Sequence, residues 1–229
     1  MIVSVHLPKT AGTSFNRALI QALGSRLSED YGDMYRVQKS PKLAFLWSCI
    51  KLPLYASKDY QGIECIHGHL MPFKFLLLEK KLDIKYITWF RDPVERIASH
   101  YYYWKKGPAK TVEMPELHIR MLEEDWTLEK FVFSNELRNL YSRYLAGFPI
   151  EKFSFIGLTE NYATDIKLLS ESVFGIDLEN IRSNITQKRE TSNYINDLAL
   201  RREIEKFHRK DMDLYLKALR IREGIINGV

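Results

Sequence analysis

Cysteine is scarce in this chain of 229 residues: Cys49 and Cys65 are its only two. Two thiols cannot build a disulfide framework, and their separation does not match a metal knuckle, so reduced, partly buried thiols are expected. Long apolar runs are absent as well. The strand-like run at the N-terminus, Ile2 to Leu7, covers six residues, and no later stretch reaches the roughly eighteen needed to cross a bilayer. With no signal peptide, the expectation is a soluble, cytoplasmic chain without membrane insertion. Metal-ligand spacing is missing too. His6, His100, His118 and His208 share no such pattern and read as structural or exposed, so no metal is expected. No repeat, low-complexity tract or linker divides the sequence, which points to one domain over residues 1–229.

What is present suits a folded enzyme-sized domain. An apolar fraction of 45% is ample for a core at this length. The net charge of +5, with a pI near 9.0, favours an anionic ligand but is also common among soluble proteins.

Short apolar runs alternate with longer periodic segments. "IVSVHL" (2–7) is continuous, as a strand buried on both faces would be, and "TSFNRALIQALGSRL" (13–27) follows with helical spacing of Phe15, Leu19, Ala22 and Leu23. "IECIH" (63–67) and "IKYITWF" (84–90) read as two more inner strands, and "FSFIGL" (153–158) as a fourth strand. Asp92 is placed to cap, and Pro93 to open, a helix through "DPVERIASHYYYWKK"; a further helix runs through "ENYATDIKLLSESVF". "INDLALRREIEKFHRKDMDLYLKAL" predicts one long amphipathic helix. Residues 107–126, with Pro108 and Pro115, break the pattern as a lid or short helical insertion, and 28–62 reads as loop. The fold class expected is α/β: a P-loop-like parallel sheet flanked by helices on both faces.

Ligands of open parallel sheets sit beyond the carboxyl ends of the strands, where "HLPKTAGTS" (6–14) and "RDPVERIAS" (91–99) fall. The first is not the nucleotide-triphosphate loop G-x-x-x-x-G-K-[ST]: aligned on Gly12, that template meets Leu7 at its first Gly and Thr13 at its Lys. Lys9 stands three residues ahead of Gly12. Backbone N–H groups of a tight turn before a helix converge on one point, and the helix start adds partial positive charge. Gly12 would let an anion approach closely, with Thr10, Thr13 and Ser14 as hydroxyl donors and Lys9 as a mobile ammonium. A plain strand-to-helix turn with Thr or Ser as N-cap is the alternative. Arg91 stands at the end of the strand over 84–90, with Ser99 eight residues on; an Arg fork binds phosphate, whereas a strand-end Arg is often merely solvated. A local Asp92–Arg96 ion pair would equally account for much of "RDPVER". Two anion sites on neighbouring strand ends would fit a nucleotide phosphorylated at both ends.

"PKTAGTS" followed by "FRDPVERIASHYYYW" resembles the two signature regions of sulfotransferases that use 3′-phosphoadenosine 5′-phosphosulfate (PAPS). "HGH" (67–69) narrows the resemblance to the carbohydrate branch typified by heparan sulfate and dermatan or chondroitin uronyl 2-O-sulfotransferases, and "FIGLTENY" (155–162) is similar to the family's stretch after the fourth strand. The resemblance implies a sulfotransferase fold. It also implies that Lys9, Thr10, Gly12, Thr13 and Ser14 bind the 5′-phosphosulfate and that Arg91 and Ser99 take the 3′-phosphate. Lys188 and Arg189, in "NITQKRETSN" (184–193), stand where the family's basic loop closes over the nucleotide. No segment of this sequence is expected to be the membrane anchor of the animal Golgi enzymes, though a trimmed anchor would leave the same sequence, and 107–126 differs from their acceptor-facing insertions, which leaves the sugar open.

Sulfuryl transfer needs a base for the acceptor hydroxyl, in-line positioning, and a charge to stabilise the leaving phosphate oxygen. His69 is the expected general base, His67 its helper or an acceptor-orienting group, and Lys9 the electrophile at the bridging oxygen. The implied partner is a glycan or other hydroxyl-bearing acceptor rather than nucleic acid. "HYYYWKK" would suit stacking on bases or sugars, yet aromatic residues on a helix more often pack in the core; Tyr103 and Trp104 are candidates to border the acceptor cleft. Two other classes stay in view: a phosphoryl-transfer enzyme such as a nucleotide kinase, which should carry the Walker lysine and an acidic metal ligand, and a non-catalytic binder of sulfated or phosphorylated molecules, which would not need His69.

Overall fold

Residues 1–107, 115–181 and 193–228 are described by the computed structural model. Its strands are β1 (Ile2–Val5), β2 (Leu27–Glu29), β3 (Cys65–Gly68), β4 (Lys85–Phe90) and β5 (Phe153–Leu158). They form one parallel sheet in the order β2-β3-β1-β4-β5. β1 lies in the middle, with Val5 opposite Gly68 on one side and Thr88 on the other. Every residue of β1 is buried, as its continuous apolar run predicts for a strand covered on both faces.

The helices are α1 (Gly12–Leu23), α2 (Met34–Lys39), α3 (Pro41–Ser57), α4 (Pro93–Lys105), α5 (Glu116–Glu123), α6 (Leu128–Val132), α7 (Leu140–Tyr144), α8 (Tyr162–Leu169), α9 (Leu198–Phe207) and α10 (Arg209–Asn227). Side chains alternate across a strand, so β1 feeds two cores. Ile2 packs with Phe15 and Leu19 of α1 and Ile166 of α8. Val3 and Val5 pack with Ala44 of α3, Leu140 and Tyr144 of α7 and Ala218 of α10. Helices therefore cover both faces of the sheet. A third cluster joins Val94, Ile97 and Trp104 of α4 to Met121, Phe131 and Ile204 of α5, α6 and α9.

Three expectations are corrected. Residues 28–62 are not a loop: they hold part of the edge strand β2 and two helices, α2 and α3. Lys74 Nζ reaches Asp30 and Asp33, each at 2.7 Å, and so ties the chain after β2 to the turn at Pro72–Phe75. The long C-terminal helix is two, α9 and α10, broken at His208 (φ −98°, ψ 29°). Its buried ring sits 2.8 Å from the Val132 carbonyl through Nε2 and accepts from the Asn139 N–H at Nδ1, so the break aims a side chain into the interior. Finally, the helix expected over 160–174 keeps its regular turn only through Leu169 and widens over Ser170–Phe174.

Candidate active site

The carboxyl ends of β3, β1 and β4 bring three segments together: His69, the loop His6–Ala11, and Arg91–Asp92. This is the point where successive connections leave the sheet in opposite directions, the usual crevice of an open parallel sheet. The His6 N–H donates to the Gly68 carbonyl at 2.8 Å, and Thr88 Oγ1 donates to the Val5 carbonyl at 2.9 Å, so the three strand ends are held in register.

Two non-glycine residues of the loop, Lys9 (φ 68°) and Ala11 (φ 64°), adopt the left-handed conformation that L-residues disfavour. Such strain persists where the surroundings impose it. Thr10 is fully buried and donates its hydroxyl to the Leu7 carbonyl at 2.7 Å. Its hydroxyl proton is thereby engaged in shaping the loop. The capping residue of α1 is Ala11, which has no side-chain acceptor, so neither Thr nor Ser caps this helix. The opening N–H groups of α1 thus face the crevice end of the sheet without a capping side chain, and helix starts attract anions. Thr13 is exposed and Ser14 buried at this same start. A Cβ at Gly12 would lie 1.6 Å from His6 Nε2, so the missing side chain makes room for an imidazole.

The cations at this end rest on aromatic rings. Lys9 Nζ lies 3.6 Å from the centroid of the Tyr103 ring, and the Arg91 guanidinium 5.4 Å from that of Tyr194. Burial, reinforced by the positive charges of Arg91 and Lys106, pushes the Lys9 ammonium down to about 8. Among the described residues, Lys9, Arg91 and Lys106 form no ion pair. Lys9 feels both Arg91 and Lys106, while Arg91 also acts on the Glu160 carboxylate, so the excess of positive potential centres on Lys9.

Beside them is a column of imidazoles. The His6 ring stacks on His69, with centroids 4.0 Å apart, and on His67, at 5.2 Å. A carbonyl only accepts, so the 2.6 Å contact from His69 Nδ1 to the His6 carbonyl oxygen puts the proton on Nδ1. Nε2 of His69 is then the lone-pair nitrogen. Burial holds this imidazole down to about 4, against the opposing effect of its bond to His6, so it is neutral at physiological pH. His67 is enclosed in the sheet, with Nδ1 2.8 Å from Ser4 Oγ and burial holding the ring down to about 3. Its enclosure corrects the expectation that it handles the acceptor; it backs the His6 ring, which in turn stacks on His69. Gly68 between the two histidines is required by close approach, since a Cβ there would fall 2.0 Å from the Asp30 carbonyl oxygen.

The second motif is built differently from its local-ion-pair reading. Asp92 caps α4 by accepting from the Val94 and Glu95 N–H groups, and its other oxygen meets Arg201 of α9. Arg96 instead lies buried beneath Tyr141, 5.5 Å from its ring centroid, where desolvation lowers its pKa against the pull of Tyr141 and Asp211. The Tyr141 hydroxyl clasps the Arg91 backbone, accepting from its N–H at 3.2 Å and donating to its carbonyl at 2.9 Å. Glu160 accepts from the Asp92 N–H, and Thr159 Oγ1 donates to the Phe90 carbonyl, so "TEN" after β5 braces the end of β4. Ser99 is buried in the second turn of α4.

Comparison with protein-family models and with curated proteins finds no match. Among solved structures, the chain is similar to a sulfotransferase from Alicyclobacillus acidocaldarius. That likeness covers 99% of this chain and 95% of the other, at 15% identity and a TM-score of 0.45.

The aromatic run of α4 divides by face. His100, Tyr101 and Trp104 are core, Trp104 stacking on His118 at 4.5 Å, whereas Tyr102 and Tyr103 are exposed. Of the two cleft candidates, then, Tyr103 lies beside Lys9 and Trp104 is internal. Lys188 and Arg189 lie outside the described residues. Among the described residues no group of three or more His, Cys, Asp or Glu is placed to hold a metal ion. Sequence reasoning missed His6, Tyr31 and Lys106. Tyr31 meets the His69 ring edge-on at 5.3 Å. A histidine directly after a strand and before a strained loop was the one available signal.

Proposed function

We propose that the protein is a sulfotransferase that moves a sulfuryl group from PAPS to a hydroxyl of an acceptor, with a glycan as the acceptor class. The observation that carries this reading is a neutral His69, its Nε2 a lone pair, stacked on the His6 ring that feels the Lys9 charge, with Lys9 itself in electrostatic reach of Arg91 and Lys106. A phosphoryl-transfer enzyme would want a lysine beside the final loop hydroxyls; here that place is Thr13, and the lysine sits in the strained turn before the helix. The glycan class rests on the resemblance around "HGH".

The residues fit such a donor. The uncapped start of α1 and the Lys9 ammonium would face the 5′-phosphosulfate, and Arg91 with Ser99 the 3′-phosphate. In the reaction, His69 Nε2 takes the proton of the acceptor hydroxyl as its oxygen bonds to sulfur. The bond from sulfur to the phosphate oxygen breaks, and Lys9 stabilises the charge that develops there. The products are a sulfate ester and adenosine 3′,5′-bisphosphate. Tyr141, which holds the Arg91 backbone, and Glu160, which holds that of Asp92, keep the phosphate end in place.

The test is transfer of sulfur label from PAPS to a panel of uronic-acid-containing and neutral polysaccharides. Label should appear in at least one polysaccharide with the intact protein and be lost with His69→Ala. Tight PAPS binding without transfer to any hydroxyl acceptor would instead mark a non-catalytic binder.

A further inference from the structure

Residues 34–58, which make α2 and α3, contain Arg36, Lys39, Lys42, Lys51 and Lys58 and neither Asp nor Glu. α3 is apolar nearly all round, a composition that suits a helix buried on every side. Its inner face is buried: Ala44 and Ser48 are enclosed, Phe45 packs on Phe73 at 4.9 Å and Tyr55 on Phe75 at 5.0 Å. Its outer face is not. Leu43, Leu46, Ile50 and Leu54 are each more than half exposed, and their spacing of three and four residues puts them on one ridge. Single exposed apolar residues are ordinary; a continuous ridge of them marks a contact surface.

The charges around this ridge indicate what covers it. Trp47, at its flank, has the Arg36 guanidinium and the Lys51 ammonium each 4.8 Å from its ring centroid. Lys42 and Lys58 stand exposed near the two ends of the helix. An apolar ridge with an amphipathic Trp and a rim of cations complements the boundary between acyl chains and anionic headgroups. A second copy does not complement it, because a two-fold contact on this face would set the same five cations against themselves. A polysaccharide would meet a leucine face that offers no hydrogen bond. We infer that α2 and α3 seat the protein on an anionic membrane surface, with α3 lying in the plane of the interface. Among the described residues no helix is long and apolar enough to cross the bilayer.

The experiment uses the full chain with vesicles of phosphatidylcholine alone and of phosphatidylcholine mixed with phosphatidylserine. Trp47 is the exposed tryptophan, while Trp89, Trp104 and Trp126 are buried, so a blue shift of emission on vesicle addition reports on this face. Binding by sedimentation should be at least about tenfold stronger to the mixed vesicles and weaken as salt is raised, since exposed charges are screened. Ile50→Asp should lower it at least about tenfold with no change in melting temperature, because the side chain leaves apolar contact only in the bound state. Equal or absent binding to the two vesicle types, or unchanged binding of Ile50→Asp, would overturn the inference. So would a dimer in sedimentation velocity that Ile50→Asp disperses, which would assign the ridge to a second copy.

Discussion

Positive charge gathers in two regions of this chain, and the two use it in opposite ways. At the strand ends Lys9 is largely buried beside Arg91 and within reach of the exposed Lys106, and burial with these neighbouring charges brings Lys9 down to about 8. Along α2 and α3 the cations are spread around an exposed apolar ridge. A desolvated ammonium with like charges nearby makes a site suited to a compact anion. Spread and solvated cations make a surface for a diffuse field of anions. The net charge of +5 is the same number for both, so burial and neighbours, not charge count, decide the ligand.

The contrast is tested most severely by removing chemistry from the crevice alone. His69→Ala should lower kcat by about 10² to 10⁴ while leaving nucleotide affinity nearly intact, as expected for loss of a positioned base. Turnover close to that of the parent would remove His69 from the proton transfer. In the parent, the acid limb of kcat/KM should lie near pH 4 rather than 6.5, because His69 stays neutral down to there.

A second effect separates the interior from the surface. His67 and His208 are buried with pKa values held to about 3 and about 4. A histidine depressed in the folded state takes up its proton more readily when unfolded, so stability is full above pH 6.5 and falls as pH drops toward 4. A tenfold difference in proton affinity between the two states is worth about 1.4 kcal/mol, so the loss measured by urea unfolding should exceed about 3 kcal/mol between pH 7 and 4. A flat profile would show that these rings are not held neutral.

Smaller effects bear on the crevice and on its separation from the ridge. Lys9 should give kcat/KM an alkaline limb near pH 8, as the ammonium loses its proton, and Lys9→Arg should move that limb to higher pH. A limb still at 8 in the variant would assign it to another group. Lys42→Glu with Lys58→Glu, both exposed near the ends of α3, should change stability by less than about 0.5 kcal/mol and leave transfer to a soluble acceptor unchanged. A loss of transfer would join two regions that are here distinct.

The inner strands β1, β3 and β4 and the loops after them are legible in the sequence because burial on both faces writes mainly apolar segments, and β5, at the sheet edge beside β4, is legible through the apolar stretch "FSFIGL". β2 is not, since a three-residue edge strand with half-exposed side chains carries no such run. α3 escapes notice for the converse reason: apolar on both faces and interrupted by Pro53, it has no polar stripe to reveal a helical period. At the candidate site, "PKTAGTS" and "HGH" locate the residues but not their partners. That Gly12 yields to His6, that Thr10 is engaged with Leu7, and that Asp92 finds Arg201 on α9 all depend on contacts between distant segments or on the strained path of one loop.

If the two anion sites on neighbouring strand ends act together, they read a nucleotide phosphorylated at both its 5′ and 3′ positions. Calorimetric titration with adenosine 3′,5′-bisphosphate, AMP and ATP decides this. The bisphosphate should bind at least about tenfold more tightly than AMP or ATP, because charge-assisted bonds from Arg91 to a second phosphate add to those at the α1 start, and Arg91→Gln should erase the difference. Equal affinity for AMP and the bisphosphate, or a preference for ATP, would contradict it.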